Sequence, residues 1–222
     1  GKQISEYKDW GNYNIDSIIA NGDVDTIVEL THTNISSGQP ALMHMEKALK
    51  NKINVVTGNK GPIFLKYKYL NELAGENGVK LMVGCTTGGA LPSINGGLIE
   101  VAGSEITSME GILNGTTNYI LSEMMEKDIS YDEALKQAQK EGIAEKNPTL
   151  DIEGYDTAVK IIILSNVIFN TDLSLNDIKV EGISHIKKEE LLVIKEQGKK
   201  LKLMGKVAMK NGKATAEVKL CE

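Results

Sequence analysis

Apolar and polar positions along the first third of the chain form two kinds of segment. Runs rich in β-branched residues over 23–31, 54–60 and 79–85 predict three short strands. Between them, apolar positions spaced three or four residues apart predict helices over 37–51 and 64–78. This β-α-β-α-β order predicts a parallel sheet with crossover helices, in which functional groups collect at the carboxyl ends of the strands.

The remainder of the chain has a different order of predicted strands and helices. A strand is predicted over 104–114, and helices follow over 115–128, 130–142 and 155–169. Ser130 and Glu133 are spaced as in a capping box at the start of the second helix. After 176–186 the pattern predicts a charged helix over 187–199 and a hairpin turned at Asn211-Gly212 over 200–221. The expected fold class is therefore α/β and α+β: a partial Rossmann-type parallel sheet in 1–61, then an α+β domain in 62–222 whose open sheet is covered by helices on one face.

Composition excludes several classes of protein. The 222 residues are 41% hydrophobic and carry a formal net charge of −5, so nothing draws the chain to nucleic acid or to an anionic membrane surface. No apolar run approaches the roughly eighteen residues of a membrane span. Its two cysteines, Cys85 and Cys221, stand far apart without a CxxC spacing, which fits a reducing compartment. We therefore expect a soluble, cytoplasmic protein.

The segment IAEKNPTLDIEGYDTAVK (143–160) places acidic side chains ahead of one lysine, Lys160, which begins an apolar helix. Asp156 lies four residues earlier and therefore shares a helical face with it. Partial burial lowers the pKa of a lysine and a neighbouring carboxylate raises it, so such a pair suits proton exchange near neutral pH. A surface ion pair worth a few tenths of a kcal/mol is the alternative. Glu145 and Asp151 shift the balance toward a site, since a carboxylate cluster is what a substrate ammonium needs.

Several segments together resemble the homoserine dehydrogenase family, from about residue 23 to the end of the chain. They are the NK that follows a strand, GILNGTTNYIL, GIAEKNPTLDIEGYDTAVK and EGISHI, at 59–60, 111–121, 142–160 and 181–186. The resemblance implies an NAD(P)-dependent oxidoreductase that interconverts L-aspartate 4-semialdehyde and L-homoserine, on the route to threonine and methionine. It also implies that 1–61 is the C-terminal part of a cofactor domain and that 62–222 binds substrate, catalyses and dimerises.

The resemblance also implies roles for individual residues in the substrate pocket. Lys160 matches the catalytic lysine, which protonates the reacting oxygen as hydride arrives. Asp156 matches the acid that holds this lysine or contacts the substrate. Glu145 matches the acid that binds the amino-acid end, and Asp151 matches a supporting acid of the same pocket. Lys60 matches a lysine near the nicotinamide and the substrate.

Cofactor and cation contacts are implied in the same way. Thr31 and the backbone at Gly142 match positions that line the nicotinamide cofactor, which is NAD or NADP. The family binds a monovalent cation, usually sodium, through backbone carbonyls, and Thr87, Gly89 and Leu91 match those positions.

The chain departs from the family pattern in four places. It contains no GxGxxG turn, and the C-terminal run that closes family members against the cofactor domain is missing. We therefore expect a fragment that binds NAD(P) poorly by itself. Gly84 stands where many members have a glutamate that helps to ligate the cation, and TGNK (57–60) replaces the commoner TANK.

Two alternatives to the dehydrogenase remain. The first is another oxidoreductase or lyase that acts on an amino-acid aldehyde, which leaves GILNGTTNYIL unexplained. The second is a catalytically silent dimerisation or sensor module, favoured by the missing glycine fingerprint. The intact set of Lys60, Glu145, Asp151, Asp156 and Lys160 favours the dehydrogenase, because a protein without catalysis has no chemical need for it. In the family a second subunit covers the open face of the sheet, so we expect a homodimer.

Overall fold

The computed structural model describes residues 14–22 and 24–222, which fall into two compact units that divide between residues 84 and 85. The first unit contains three parallel strands in the order β1-β2-β3. Its strands are β1 (Thr26–Glu29), β2 (Asn54–Thr57) and β3 (Leu81–Val83), and its helices are α1 (Ile15–Asn21), α2 (Ala41–Lys50) and α3 (Lys60–Glu76). The predicted β-α-β-α-β order and parallel sheet are thus confirmed. Residue 23, where the first strand was expected to begin, lies outside the described residues.

One face of this parallel sheet is covered and the other is not. Helix α2 buries Met45 and Leu49. On the opposite face Val28, Val56 and Met82 are paired across the three strands and are 64%, 38% and 55% exposed. Parallel sheets are normally covered on both faces. Within the described residues, this apolar row has no cover.

Helix α3 explains why the compact units divide after Gly84, whereas the sequence predicted a boundary at residue 61. The helix begins at Lys60 because the side chain of Asn59 accepts a hydrogen bond from Gly61 N at 3.1 Å and caps it. Its chain continues into β3, which pairs with β2. The local pattern of apolar residues predicts where a helix lies. It does not predict which sheet that helix packs on or which sheet the next strand joins.

The second unit contains a mixed four-stranded sheet in the order β4-β6-β7-β5. Only the β5–β7 pair is parallel among these strands. The strands are β4 (Ser108–Gly111), β5 (Ile178–Val180), β6 (Lys202–Lys210) and β7 (Lys213–Cys221). The helices are α4 (Ser93–Asn95), α5 (Gly115–Lys127), α6 (Tyr131–Lys140), α7 (Thr149–Ile152), α8 (Tyr155–Ile168) and α9 (Lys188–Glu196), with a π-helical turn at Gly96–Glu100 and a 3-10 turn at Leu175–Asp177. The predicted fold class is confirmed.

Helix α8 packs directly on β6, and Gly205 allows its close approach. A Cβ at Gly205 would lie 3.1 Å from Thr157 Cγ2 and 3.3 Å from Ile161 Cβ. All but four of the residues of α8 are buried. The opposite face of the sheet carries ion pairs such as Lys206–Glu110, whose charged atoms are 3.0 Å apart. Helices therefore cover one face, as predicted.

Two local predictions are confirmed at the atomic level. Ser130 and Glu133 form the expected capping box at the start of α6, in which Glu133 Oε2 accepts Ser130 N at 2.8 Å and Ser130 Oγ accepts Glu133 N at 3.3 Å. The β6–β7 hairpin turns at Asn211 and Gly212, whose φ values of 51° and 73° are those a two-residue turn requires. None of the helices in the described part of the chain is long and apolar enough to cross a membrane.

Candidate functional site

An acid–base pair on the first two turns of α8 forms the centre of the candidate site. Lys160 Nζ lies 2.7 Å from Asp156 Oδ2, and the two side chains are only 18% and 13% exposed. A surface ion pair would leave both side chains largely in water, so the surface alternative does not fit. Removing one partner of such a pair leaves an uncompensated charge away from water, which is costly.

A third group fixes the lysine from another part of the chain. Lys160 Nζ donates a hydrogen bond to the carbonyl oxygen of Leu113 at 2.6 Å. Leu113 lies in the short connection between β4 and α5. The ammonium is therefore held by one charged and one neutral acceptor, which defines its position more closely than the helix alone would.

Asn114 joins the two aspartates of the cluster. Its Nδ2 donates to Asp151 Oδ1 at 2.7 Å and to Asp156 Oδ2 at 2.9 Å. Its Oδ1 accepts Thr117 N at 2.9 Å and thereby caps α5. Thr116 Oγ1 donates to the other oxygen of Asp151 at 2.9 Å. The chain thus brings Asp151, Asp156 and Lys160 together.

Asn114, Thr116 and the Leu113 carbonyl were not predicted as site groups. All three lie in GILNGTTNYIL, one of the segments that carry the family resemblance. An asparagine between a strand and a helix signals an N-cap. The contacts of the Asn114 side chain with Asp151 and Asp156, 37 and 42 residues further along the chain, leave no signal in the neighbouring sequence.

The loop that contains EGISHI positions the start of α8. Gly154, which precedes the helix, has φ 81°, and a Cβ on it would lie 2.3 Å from the carbonyl oxygen of Glu181. Ile183 N donates to Ile152 O at 2.7 Å, and the Glu181 carboxylate accepts Leu220 N at 2.9 Å from β7. The loop therefore ties the first turn of α8, and with it Asp156, to the sheet.

Glu145 and Gly142 lie in the connection between α6 and α7. Glu145 is exposed, and its carboxylate has no hydrogen-bond or ion-pair partner among the described residues. Gln139 Nε2 donates to its carbonyl oxygen at 3.2 Å and fixes the backbone there. Gly142 has φ 74° and ends the turn after α6. Glu145 is consequently the acid of the predicted set that is left available to a ligand.

In the first unit, Thr31 and Lys60 follow the carboxyl ends of neighbouring strands. Asn59 Nδ2 donates to the carbonyl oxygen of Thr31 at 2.9 Å, so the segments after β1 and β2 are joined. The amide of Thr31 donates to Glu29 Oε1 at 2.9 Å, and its hydroxyl donates to the same oxygen. This edge is where ligands bind in open parallel sheets.

The glycine-rich segment after residue 84 has the features of a site lined by backbone oxygens. Thr86 Oγ1 is buried and has no hydrogen-bond partner among the described residues. No backbone donor in the described chain reaches the carbonyls of Thr87 and Gly89, whereas Leu91 O accepts Ser93 N at 2.9 Å. Hard cations bind oxygen ligands of this kind. The described residues contain no group of three or more His, Cys, Asp or Glu side chains that could hold a metal.

The groups of the second unit are suited to proton transfer and to binding a cationic group. A lysine fixed beside a carboxylate can give a proton to, or take one from, an oxygen placed against it. A free carboxylate at Glu145 can bind an ammonium. The strand ends at Thr31 and Lys60 belong to the kind of sheet edge that holds nucleotides.

Comparisons with known proteins agree with this combination. A family model described as homoserine dehydrogenase matches residues 92–222, and one described as homoserine dehydrogenase, NAD binding domain, matches residues 12–84. The chain is 46% identical over 190 residues to a homoserine dehydrogenase of Methanocaldococcus jannaschii, and this match covers 86% of this chain and 56% of the relative. It is 37% identical over 190 residues to a protein of Pseudomonas canavaninivorans named NAD(+)-dependent homoserine dehydrogenase, covering 86% of this chain and 54% of the relative.

Solved structures give the same picture. The crystal structure of S. aureus homoserine dehydrogenase at pH 6.5 superposes with a TM-score of 0.81 and 38% identity, over 93% of this chain and 49% of that chain. The chain thus spans about half the length of the curated relatives it matches.

Proposed function

The chain belongs to the homoserine dehydrogenase family, and from this premise we propose that the protein interconverts L-aspartate 4-semialdehyde and L-homoserine with NAD or NADP. The family resemblance drawn from the sequence is confirmed. The observation that carries the proposal is the partly buried Lys160–Asp156 pair at 2.7 Å. It fits a step in which a proton and a hydride reach an aldehyde together.

Glu145 is the residue that we assign to the amino-acid end of the substrate. Its exposed carboxylate has no partner among the described residues, so it can bind the α-ammonium without first giving up another contact. Asp151 supports the pocket, because each of its two oxygens accepts a hydrogen bond, one from Asn114 and one from Thr116. A small, flexible substrate held at its ammonium can present its other end, C4, to the reacting groups.

Lys160 acts on that other end. During reduction its ammonium stabilises the negative charge that develops on the aldehyde oxygen and gives this oxygen a proton. During oxidation the neutral amine takes the proton from the hydroxyl of homoserine. Asp156 and the Leu113 carbonyl keep Nζ in place through both directions.

NAD or NADP is the cofactor, and when bound it supplies or accepts the hydride. Thr31, Lys60 and the backbone at Gly142 are the residues that we assign to holding it. Thr31 and Lys60 follow the carboxyl ends of β1 and β2, where such ligands bind. The relative from Pseudomonas canavaninivorans, which is named as NAD(+)-dependent, supports nicotinamide use. Because the chain has no GxGxxG turn, we expect these 222 residues alone to bind the cofactor weakly.

A sodium ion held by the carbonyls of Thr87, Gly89 and Leu91 is part of the proposal. The carbonyls of Thr87 and Gly89 and the buried hydroxyl of Thr86, which have no hydrogen-bond partner among the described residues, support it. Gly84 offers no side-chain ligand, so the oxygens would come from the backbone. The ion's role would be to fix this turn.

The protein is proposed to work in the cytoplasm as a homodimer, in threonine and methionine biosynthesis. Both cysteines are free thiols, which suits a reducing compartment. The sheet face opposite α8 carries alternating charges, such as the pair Lys206 and Glu110. A second copy with the same alternation can cover this face.

The experiment is an assay at the nicotinamide absorbance of the full gene product that contains this sequence. L-Homoserine is offered with NAD+ and with NADP+, and 4-hydroxybutyrate, which lacks the amino group, serves as the matched control. We expect oxidation of L-homoserine with one of the cofactors and a much lower kcat/KM for the control. Binding of homoserine without turnover would instead support the silent binding module, and the absence of both binding and turnover would contradict the assignment of this pocket to L-homoserine.

A further inference from the structure

We propose that Asn114 is a positioning residue that holds the catalytic ion pair through Asp156, and that its contacts give Asp151 and Asp156 different roles. The inference rests on the proposed function for its catalytic consequence, whereas its geometric part stands on the structure alone. Asn114 is 6% exposed, so its hydrogen bonds are made away from water, where an unpaired polar group is costly.

All the polar atoms of the Asn114 side chain have defined partners. One N–H reaches Asp151 at 2.7 Å and the other reaches Asp156 at 2.9 Å, while the oxygen caps α5 through Thr117 N at 2.9 Å. A neutral amide can hold two carboxylates because it offers two donors and adds no charge. No other residue type offers a cap acceptor and two such donors at this length.

Residues 113 and 114 are consecutive in the chain, and each contacts one member of the ion pair. The Leu113 carbonyl accepts a hydrogen bond from Lys160 Nζ at 2.6 Å, and the Asn114 side chain donates to Asp156 Oδ2 at 2.9 Å. The same oxygen of Asp156 lies 2.7 Å from Lys160 Nζ. Acid and base are thus both held by two consecutive residues of the β4–α5 connection.

Asp151 then has an anchoring role. Its Oδ1 accepts from Asn114 and its Oδ2 accepts from Thr116, so each oxygen is engaged with the NGTT segment. Each oxygen can accept a further hydrogen bond, but Asp151 already holds this segment, whereas the Glu145 carboxylate has no partner among the described residues. The geometry therefore assigns ammonium recognition to Glu145 and assigns Asp151 to holding Asn114, which in turn holds Asp156.

Two substitutions separate positioning from capping. Asn114→Ser keeps an N-cap acceptor but removes both N–H donors. Asn114→Asp keeps the cap and the shape, removes the donors and adds a third carboxylate. Ser130→Ala, which removes the cap of the neighbouring helix α6 without touching the cluster, is the matched control for lost capping.

The first readout does not depend on activity. The ¹⁵Nζ–H signal of Lys160, identified by its disappearance in Lys160→Met, reports whether the ammonium is held or exchanges freely with water. We expect this signal to broaden or vanish in Asn114→Ser and Asn114→Asp and to persist in Ser130→Ala. An unchanged signal in both Asn114 variants would overturn the positioning role.

The second readout is the split between kcat and KM in the full gene product. Hydrogen bonds to charged groups are strong enough that we expect Asn114→Ser to lower kcat about tenfold to a hundredfold, with little change in KM for L-homoserine. A raised KM with unchanged kcat would overturn the division of roles, because Asn114 would then act on substrate binding. If the unmodified protein has no dehydrogenase activity, the proposed function fails, and the ammonium signal alone decides the positioning role.

Discussion

Lys160 Nζ donates a hydrogen bond to the carbonyl oxygen of Leu113 at 2.6 Å, although the two residues are 47 positions apart in the chain. With Asp156 on the other side, the ammonium has one neutral and one charged acceptor. The neutral acceptor stays in place when the proton leaves, whereas the attraction to Asp156 weakens. The lysine can therefore change its protonation state without losing its position.

Asp156→Asn tests the charged acceptor. The amide keeps the shape of the carboxylate but no longer stabilises an ammonium, so kcat should fall about tenfold to a hundredfold. Steady-state kinetics of the full gene product measure it, with thermal unfolding as the check on folding. An unchanged kcat would show that Leu113 alone is sufficient.

Glu145→Gln tests ammonium recognition. Its side chain is exposed and has no partner among the described residues, so the substitution should leave thermal stability unchanged. Loss of a charged hydrogen bond should raise KM for L-homoserine about tenfold to a hundredfold, and kcat should change less. Glu196→Gln, at the end of α9, gives a matched loss of one exposed carboxylate that has no partner among the described residues. If both variants behaved alike, Glu145 would have no specific role.

Gly154→Ala tests how the loop at Glu181 positions α8. An alanine would adopt the left-handed φ of 81° and its Cβ would lie 2.3 Å from a backbone oxygen. Strain and overlap together should lower the free energy of unfolding by about 2 kcal/mol or more. Gly198→Ala is the control, because its φ is 72° but nothing lies within 4 Å of the added Cβ. A denaturant titration that gave equal losses for the two would contradict the close approach.

Tyr131→Phe tests the buried hydroxyl of Tyr131, the first residue of α6. Tyr131 OH is buried without a hydrogen-bond partner among the described residues, so its removal should leave stability unchanged or raise it by about 1 kcal/mol. Burial, and then the charges of Glu153 and Asp132, raise the pKa of Tyr131 to about 12.

The pH dependence follows from the direction of that shift. The folded state keeps the Tyr131 proton above pH 10, where the unfolded chain releases its own, so this residue makes stability fall as pH rises from about 10 to about 12. Tyr131→Phe should therefore flatten that alkaline fall in denaturant titrations. An identical pH profile for the variant would argue against the raised pKa.

Local signals in the sequence were sufficient for much of the fold. The capping box at Ser130 and Glu133 and the hairpin at Asn211-Gly212 depend on neighbouring residues only, and both formed as predicted. The boundary near residue 61 did not, because the packing of α3 and the pairing of β3 are contacts between distant segments.

The contacts in the candidate site differ in the same way, because some join neighbouring residues and others join distant segments. Asp156 and Lys160 lie one helical turn apart, so their contact could be read from spacing. Asn114 meets its acids across 37 and 42 residues, and Leu113 meets Lys160 across 47. Such contacts depend on how β4, α5 and α8 pack, which hydrophobic pattern alone does not determine.

The most direct test is the Lys160→Ala variant of the full gene product, assayed for NAD(P)H-dependent reduction of L-aspartate 4-semialdehyde. Lys127→Ala is the control, because Lys127 forms an i,i+4 pair with Glu123 and lies 49% exposed, away from the cluster. We predict that Lys160→Ala lowers kcat by about a hundredfold to ten-thousandfold, as expected for loss of a general acid, while Lys127→Ala stays active. Reduction at the unmodified rate by Lys160→Ala would contradict the account.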